Sequence, residues 1–279
     1  MIEATDQSTA LVTLREVGAR VVDLIAAIDN LDRPVPGLEW TVGDVAAHIL
    51  IEVRAYAEAV GGSLAAIAVY VPEVDGYSRR MAAMTHGTLK AEPRRTPAEL
   101  SAAVRDELQA FLRAVGGRAG TDTVETPWYG ANETITVRTA VSLQIGEMLI
   151  HGLDIARGLG RPWPITPAEA LQVICPSTLA MMPKVVDAPR VRGYDDLYRV
   201  NFRGGPRIGF RFTNGSIDVQ DWSSWKQRAA VTLSADPVAF LLLAYGRKGQ
   251  WPLIAQGKLV AYGRKPWLAL QMRGLFVNP

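Results

Sequence analysis

The apolar run from Val137 to Leu159 constrains this chain more than any other stretch, because Glu147 and His151 interrupt it. The two stand four residues apart. On a helix that is just over one turn, so both side chains leave the same face. A carboxylate oxygen and an imidazole nitrogen stacked in this way can grip one divalent ion. A single helix supplies only two ligands, so a third must come from elsewhere. The chain has three histidines, His48, His86 and His151. His48 lies in a second helix-like stretch opened by Trp40-Thr41-Val42-Gly43-Asp44 and is the candidate third ligand. Two histidines and one carboxylate with an open fourth position is the pattern of a catalytic zinc site rather than a structural one.

The bland alternative is an exposed i, i+4 pair worth a few tenths of a kcal/mol. Ile145, Leu149 and Ile150 argue against it, since an unpaired carboxylate is costly on a mostly apolar helix. His86 falls among turn-forming residues and is expected in a loop.

At 279 residues the chain has room for two cores. Its net charge of +2, from 30 basic and 28 acidic residues, argues against a nucleic-acid surface. Arg79-Arg80 and Arg94-Arg95 are expected on solvated faces. The residues from Ile49 to Val71 are too broken by Glu52, Arg54, Glu58 and Gly61-Gly62 to span a bilayer. The amino terminus shows no secretory pattern, and a cytoplasmic location is expected. Cys175 is alone, which excludes an intrachain disulfide and points to a small buried hydrophobe.

Periodicity predicts helices over residues 8–30, 42–60, 97–115 and 137–158. Thr41 with Asp44, and Thr96 with Pro97 and Glu99, supply helix starts. Residues 63–96 are expected as a long, partly helical connection with a helical piece at 63–69. Residues 121–136 are expected as a loop or short hairpin. Four amphipathic helices make a bundle, and bundles build metal sites from facing helices. A further helix follows from Pro167 to about Val186, with a kink at Pro176 or Pro183. After Pro189 the pattern alternates, and Asn214-Gly215 marks a hairpin turn. Strands are expected over 197–202, 208–213, 217–219, 229–234 and 258–262, with helices opening at Pro237 and Pro266. This gives an α+β domain. The expected organisation is a helical bundle over 1–162, a linker helix over 163–190, and an α+β domain over 191–279. The tryptophans at 222, 225, 251 and 267 are expected in cores or interfaces, and Trp40 and Trp128 chiefly in buried packing, with the lining of a pocket as the alternative.

Trp40-Thr41-Val42-x-Asp44-Val45-x-x-His48, followed by Glu147-x-x-x-His151-x-x-Asp154, resembles the mycothiol-dependent maleylpyruvate isomerase family, whose amino-terminal part is a DinB-like four-helix bundle. Phe210-Arg211-Phe212-x-Asn214-Gly215, Leu233-x-Ala235-Asp236-Pro237 and Gly257-Lys258-Leu259 resemble a sterol-carrier-like domain, the kind attached to these bundles. The resemblance implies a divalent metal, usually zinc, on His48, Glu147 and His151. Its open position would take water or the thiol of mycothiol, the low-molecular-weight thiol of actinobacteria. It also implies an arginine from the second domain near the metal. Arg247 in Tyr245-Gly246-Arg247 fits best, and Arg264 is the second choice. The stretch from Ser63 to Pro97 and the chain after Gly257 are longer than the plainest family pattern.

The expected function is thiol chemistry on a small electrophile, as a mycothiol-dependent isomerase or S-transferase. Metal would stabilise the thiolate. Arg247 would hold a substrate carboxylate, against the plain reading of a surface residue ending a helix. Asp154 would orient a ligand from behind. Two other classes stay open: a hydrophobic-ligand carrier with a vestigial metal site, and an interaction module that keeps a metal for stability.

Overall fold

The computed structural model describes residues 7–64, 74, 76–93 and 95–277. The described residues divide into two compact units, one over 7–164 and the other from Ile165 onward. The first contains α1 (Gln7–Ala26), α2 (Val42–Gly61), α3 (Tyr77–Ala91), α4 (Pro97–Gly116) and α5 (Val137–Leu159). α1 and α2 each pack against both α4 and α5, closing a four-helix bundle. α3 lies outside that ring, against α2 and the 3-10 turn Pro127–Tyr129. Strands β1 (Thr123–Glu125) and β2 (Thr134–Thr136) pair antiparallel in front of α5.

Caps fix where the bundle helices begin. Thr41 and Asp44 form a reciprocal capping box at the start of α2, and Thr96 and Glu99 do the same for α4. α5 starts from the Thr136 cap and stops at Gly160, whose φ of 65° lets the last carbonyls be satisfied. Most of α5 is buried around its whole circumference, from Val137 through Ile155, which explains why its apolar pattern shows so little amphipathic contrast.

Three expectations change. α1 ends at Ala26 rather than Asn30, because residues 27–30 leave the helix for a tight turn. Residues 77–91, expected as part of a broken connection, form a regular helix despite Gly87, so His86 is helical and exposed rather than in a loop. Of the helical piece expected at 63–69, residues 65–69 lie outside the described residues, as does Arg94.

The second unit begins with α6 (Pro167–Met181), which includes Pro176 and ends before Pro183. Expected as a linker, α6 packs on α7 (Pro237–Ala244) and on β5 (Ser216–Asp221), and so forms a wall of this unit. The sheet contains β3 (Leu197–Phe202), β4 (Arg207–Thr213), β5, β6 (Val231–Ala235) and β7 (Leu259–Gly263) in the order β5-β4-β3-β6-β7. Only β3 and β6 run parallel, as the crossover between them requires. Phe202 meets Phe240 of α7 edge to face at 4.8 Å, which closes the helix onto the sheet. Short helices α8 (Gln250–Ala255) and α9 (Leu268–Gln271) complete the unit, α8 without a sequence signal of its own. Cys175 is buried, whereas Trp251 and Trp267 are 64% and 57% exposed and belong to no core. Among the described residues no helix is long and apolar enough to cross a membrane.

Candidate metal centre

The chain entering α2 determines where the first candidate ligand sits. Val35 N–H donates to Trp40 O at 3.0 Å, and Val42 and Gly43 N–H donate back to Arg33 and Leu31 carbonyls at 2.9 Å each. A Cβ on Gly43 would stand 2.9 Å from Leu31 O, so only glycine admits this close return. The loop thus folds onto the helix start and sets Trp40 over the first turns of α2. His48 follows one turn after the capping Asp44.

α5 comes close at the same end. A Cβ on Gly158 would lie 2.4 Å from Val42 Cγ1, so glycine lets the two helices approach. Behind α5, Trp163 Nε1 donates to Leu149 O at 2.9 Å and rests on Gly152, bracing the turn that carries Glu147 and His151.

These constraints bring the three candidate ligands together. Glu147 Oε2 stands 3.1 Å from His151 Nε2 and 3.7 Å from His48 Nε2. One donor atom from each residue lies within 4.8 Å of the other two. Behind them, Asp154 is 1% exposed, and its Oδ2 lies 3.1 Å from His151 Nδ1. That contact turns Nε2 of His151 toward Glu147. The ring of Trp40 lies 5.1 Å from that of His48 and, nearly parallel, 6.3 Å from that of His151. Trp40, expected chiefly in packing, is therefore a wall of this centre.

Charge here is tightly held. Burial alone would push the Glu147 carboxyl up, but the contacts from His151 and His48 outweigh it and hold it well below the usual carboxylate range. Burial would likewise lower His151, yet Asp154 and Glu147 raise it to about 9.

Two residues of this face went unnoticed as functional in the sequence. Glu52, one turn beyond His48 on α2, has its carboxyl pushed up to about 8, first by burial and then by the charge of Glu147. The signal was present as His48-x-x-x-Glu52 in an apolar stretch, the same spacing as Glu147 and His151. Gln144 lies three residues before Glu147 and is fully buried, with neither amide atom paired. Buried primary amides are seldom left this way. Past Glu52, the hydroxyls of Tyr56 and Tyr129 meet at 2.5 Å, and Tyr77 stacks on Tyr129. Burial first, then Glu147 and Glu52, push the Tyr77 hydroxyl upward.

His86 does not join the cluster. Arg247 belongs to the second unit, where its Nη1 donates to Tyr245 O at 2.8 Å just after α7. Arg264 is exposed on the turn after β7.

Residues 14–156 match the family described as Mycothiol maleylpyruvate isomerase N-terminal domain. Residues 179–277 match the SCP-2 sterol transfer family. Among solved structures, the chain is similar to a mutant of the mycothiol-dependent maleylpyruvate isomerase at 13% identity, covering 91% of this chain and 92% of that one with a TM-score of 0.51. A second structure of the mycothiol-dependent maleylpyruvate isomerase aligns at 13% identity over 86% and 89% of the two chains, with a TM-score of 0.49. The first likeness establishes a shared fold. No curated protein matches the chain.

Proposed function

Because the chain belongs to the mycothiol maleylpyruvate isomerase N-terminal domain family, we propose that it is a metal-dependent enzyme of thiol chemistry, a mycothiol-dependent isomerase or S-transferase acting on a small electrophile. The observation that carries this reading is the convergence of His48, Glu147 and His151 from two helices. Ligands bonded at about 2.1 Å in a tetrahedral site stand roughly 3.4 Å apart. The contacts of 3.1 and 3.7 Å straddle that spacing, and the two-histidine, one-carboxylate set suits zinc with a position left open. A divalent ion held there would favour the thiolate of a bound thiol near neutral pH.

The chain's own residues do the rest. Asp154 accepts from Nδ1–H of His151 and so presents the Nε2 lone pair forward, the role a carboxylate behind a ligating histidine commonly has. Trp40 covers both imidazoles and limits water. Glu52, whose carboxyl burial and then the charge of Glu147 push up to about 8 in the metal-free chain, stands one turn beyond His48 as a group for exchanging a proton with the substrate. Gln144 offers a buried amide to a polar group of thiol or substrate. Arg247, in the second unit, carries the planar fork that suits a carboxylate. Thiolate addition to an electron-poor alkene, rotation and departure of the thiol is an isomerisation; addition without departure is a transfer.

Elemental analysis of untagged protein tests the proposal. Wild type is expected to carry a stoichiometric divalent ion that His48→Ala, Glu147→Gln and His151→Ala lose; wild type that takes up none sinks it.

The SCP-2 match favours a second reading, a carrier of a hydrophobic ligand. Native mass spectrometry separates the two: a co-purified acyl lipid without metal supports the carrier, and metal without lipid supports the enzyme.

A further inference from the structure

The second unit has a cavity of about 710 Å³ between the turn after α7 and the α9 region. Its lining includes Arg190, Lys248 and Arg273, and no carboxylate. That volume is in the range of small-molecule sites. The nearby acids are engaged: Asp187 with Arg190 at 3.1 Å, Asp196 with Lys265 at 2.9 Å, and Asp195 with Arg211. Lys248 and Arg273 have no carboxylate partner among the described residues, so three cations from three separate segments face one space with a single counter-charge at its edge.

Three contacts hold this rim in shape. Arg190 Nε sits on Asp187, and its Nη1 donates to Gly274 O at 3.3 Å, which ties the segment before β3 to the 3-10 turn Met272–Leu275. Two of the five guanidinium donors are thereby used, and the others remain for an anion. Tyr194 O–H donates to Gln271 Oε1 at 2.9 Å, which occupies the amide oxygen and leaves the Nε2 donors of Gln271. Leu270 and Leu275 supply an apolar floor beside these donors.

We propose that this groove binds a small amphipathic anion carrying a phosphate group, the phosphate between Lys248, Arg273 and Arg190 and a short apolar portion against Leu270 and Leu275. Arginine and lysine together on a donor-rich rim without carboxylates match phosphate better than a neutral or cationic ligand. Every residue of the lining belongs to the second unit. It serves either a free organophosphate or the headgroup of an anionic lipid.

Titration of the full chain with hexyl phosphate, followed by calorimetry at fixed ionic strength, tests this. Saturable binding is expected, weakened at least about tenfold, as for lost charge-assisted hydrogen bonds, in a Lys248→Gln, Arg273→Gln double variant. Arg228→Gln, exposed and outside the lining, is expected to bind as wild type does. All three positions are exposed, and circular dichroism of each variant verifies the fold. Co-sedimentation with phosphatidylcholine vesicles, with and without one quarter phosphatidylglycerol, identifies the source. Capture by the anionic vesicles alone, lost in the double variant, indicates a lipid headgroup. Hexyl phosphate binding without vesicle capture indicates a free organophosphate. Absence of saturable binding to either probe, or equal binding by wild type and double variant, overturns the proposal.

Discussion

The two units keep their charges in opposite places. In the sheet unit Tyr198, Phe210 and Phe212 fill an interior whose buried polar residues, Gln172, Thr178 and Thr232, are neutral. Its ion pairs, such as Lys258 with Asp236 and Lys265 with Asp196, stay at the rim. The helical unit instead places Glu147, His151, His48, Asp154 and Glu52 between α2 and α5, where desolvation is severe. Burying charge is expensive unless each group meets a partner. The helical unit accepts that cost at one point, and this is where chemistry is to be sought. The sheet unit presents its cations outward.

Damage to the apolar core should accordingly not reach the polar one. Phe210→Ala is expected to cost the sheet unit about 3–5 kcal/mol, the usual range for emptying an aromatic core position. Divalent-ion stoichiometry should stay unchanged under conditions where the variant remains folded; calorimetric unfolding with elemental analysis checks both.

Asp154→Asn probes the polar core from behind. Loss of a carboxylate supporting a ligating histidine typically lowers metal affinity about 10–100-fold, measured by competition with a chromogenic chelator. Unfolding of the sheet unit should be untouched.

On the proposed metal centre, protons and metal would compete for His151. Its imidazole, raised to about 9 without metal, must lose its proton before Nε2 can ligate. Affinity should therefore climb about tenfold per pH unit from neutrality up to about pH 9 and then level off. Titrations in buffers of different ionisation enthalpy would read roughly one proton released per ion at pH 7.5. The metal-free chain should show the opposite trend in stability. A histidine raised from the ordinary value of about 6.5 gives stabilisation fully present below that pH and lost as pH rises through about 9.

The smallest effect concerns approach rather than contact. Thr41→Ala removes the capping bond at the start of α2 and should cost about 1 kcal/mol. It should loosen Trp40 and His48 enough to weaken metal retention modestly, detectable as faster loss to a chelator.

Much of this organisation was legible beforehand, for identifiable reasons. The capping boxes at Thr41 and Thr96 and the turn at Asn214-Gly215 are local signals, and local geometry obeyed them. The pairing of His48 with Glu147 and His151 was reachable because the chain offers so few histidines. Glu52 was harder: in the sequence it breaks an apolar run and looks like evidence against burial, and only the docking of α5 gives it a charged neighbour. Gln144 and Trp40 carry no charge pattern, so their placement depends wholly on packing. α3 escaped notice because Gly76 and Gly87 punctuate a polar stretch whose helicity rests on contact with α2 rather than on propensity.

The glycine at 158, pressed against Val42, has a consequence for how such a centre comes into being. His48 and His151 are separated by 103 positions along the chain (151 − 48). Joining the ends of a loop that long costs an unfolded chain about 4 kcal/mol in entropy alone. A nascent polypeptide lacks the full ligand set until His151 has emerged, 103 positions after His48. An ion held by these three residues would act as a latch on the finished bundle, not as a seed for it.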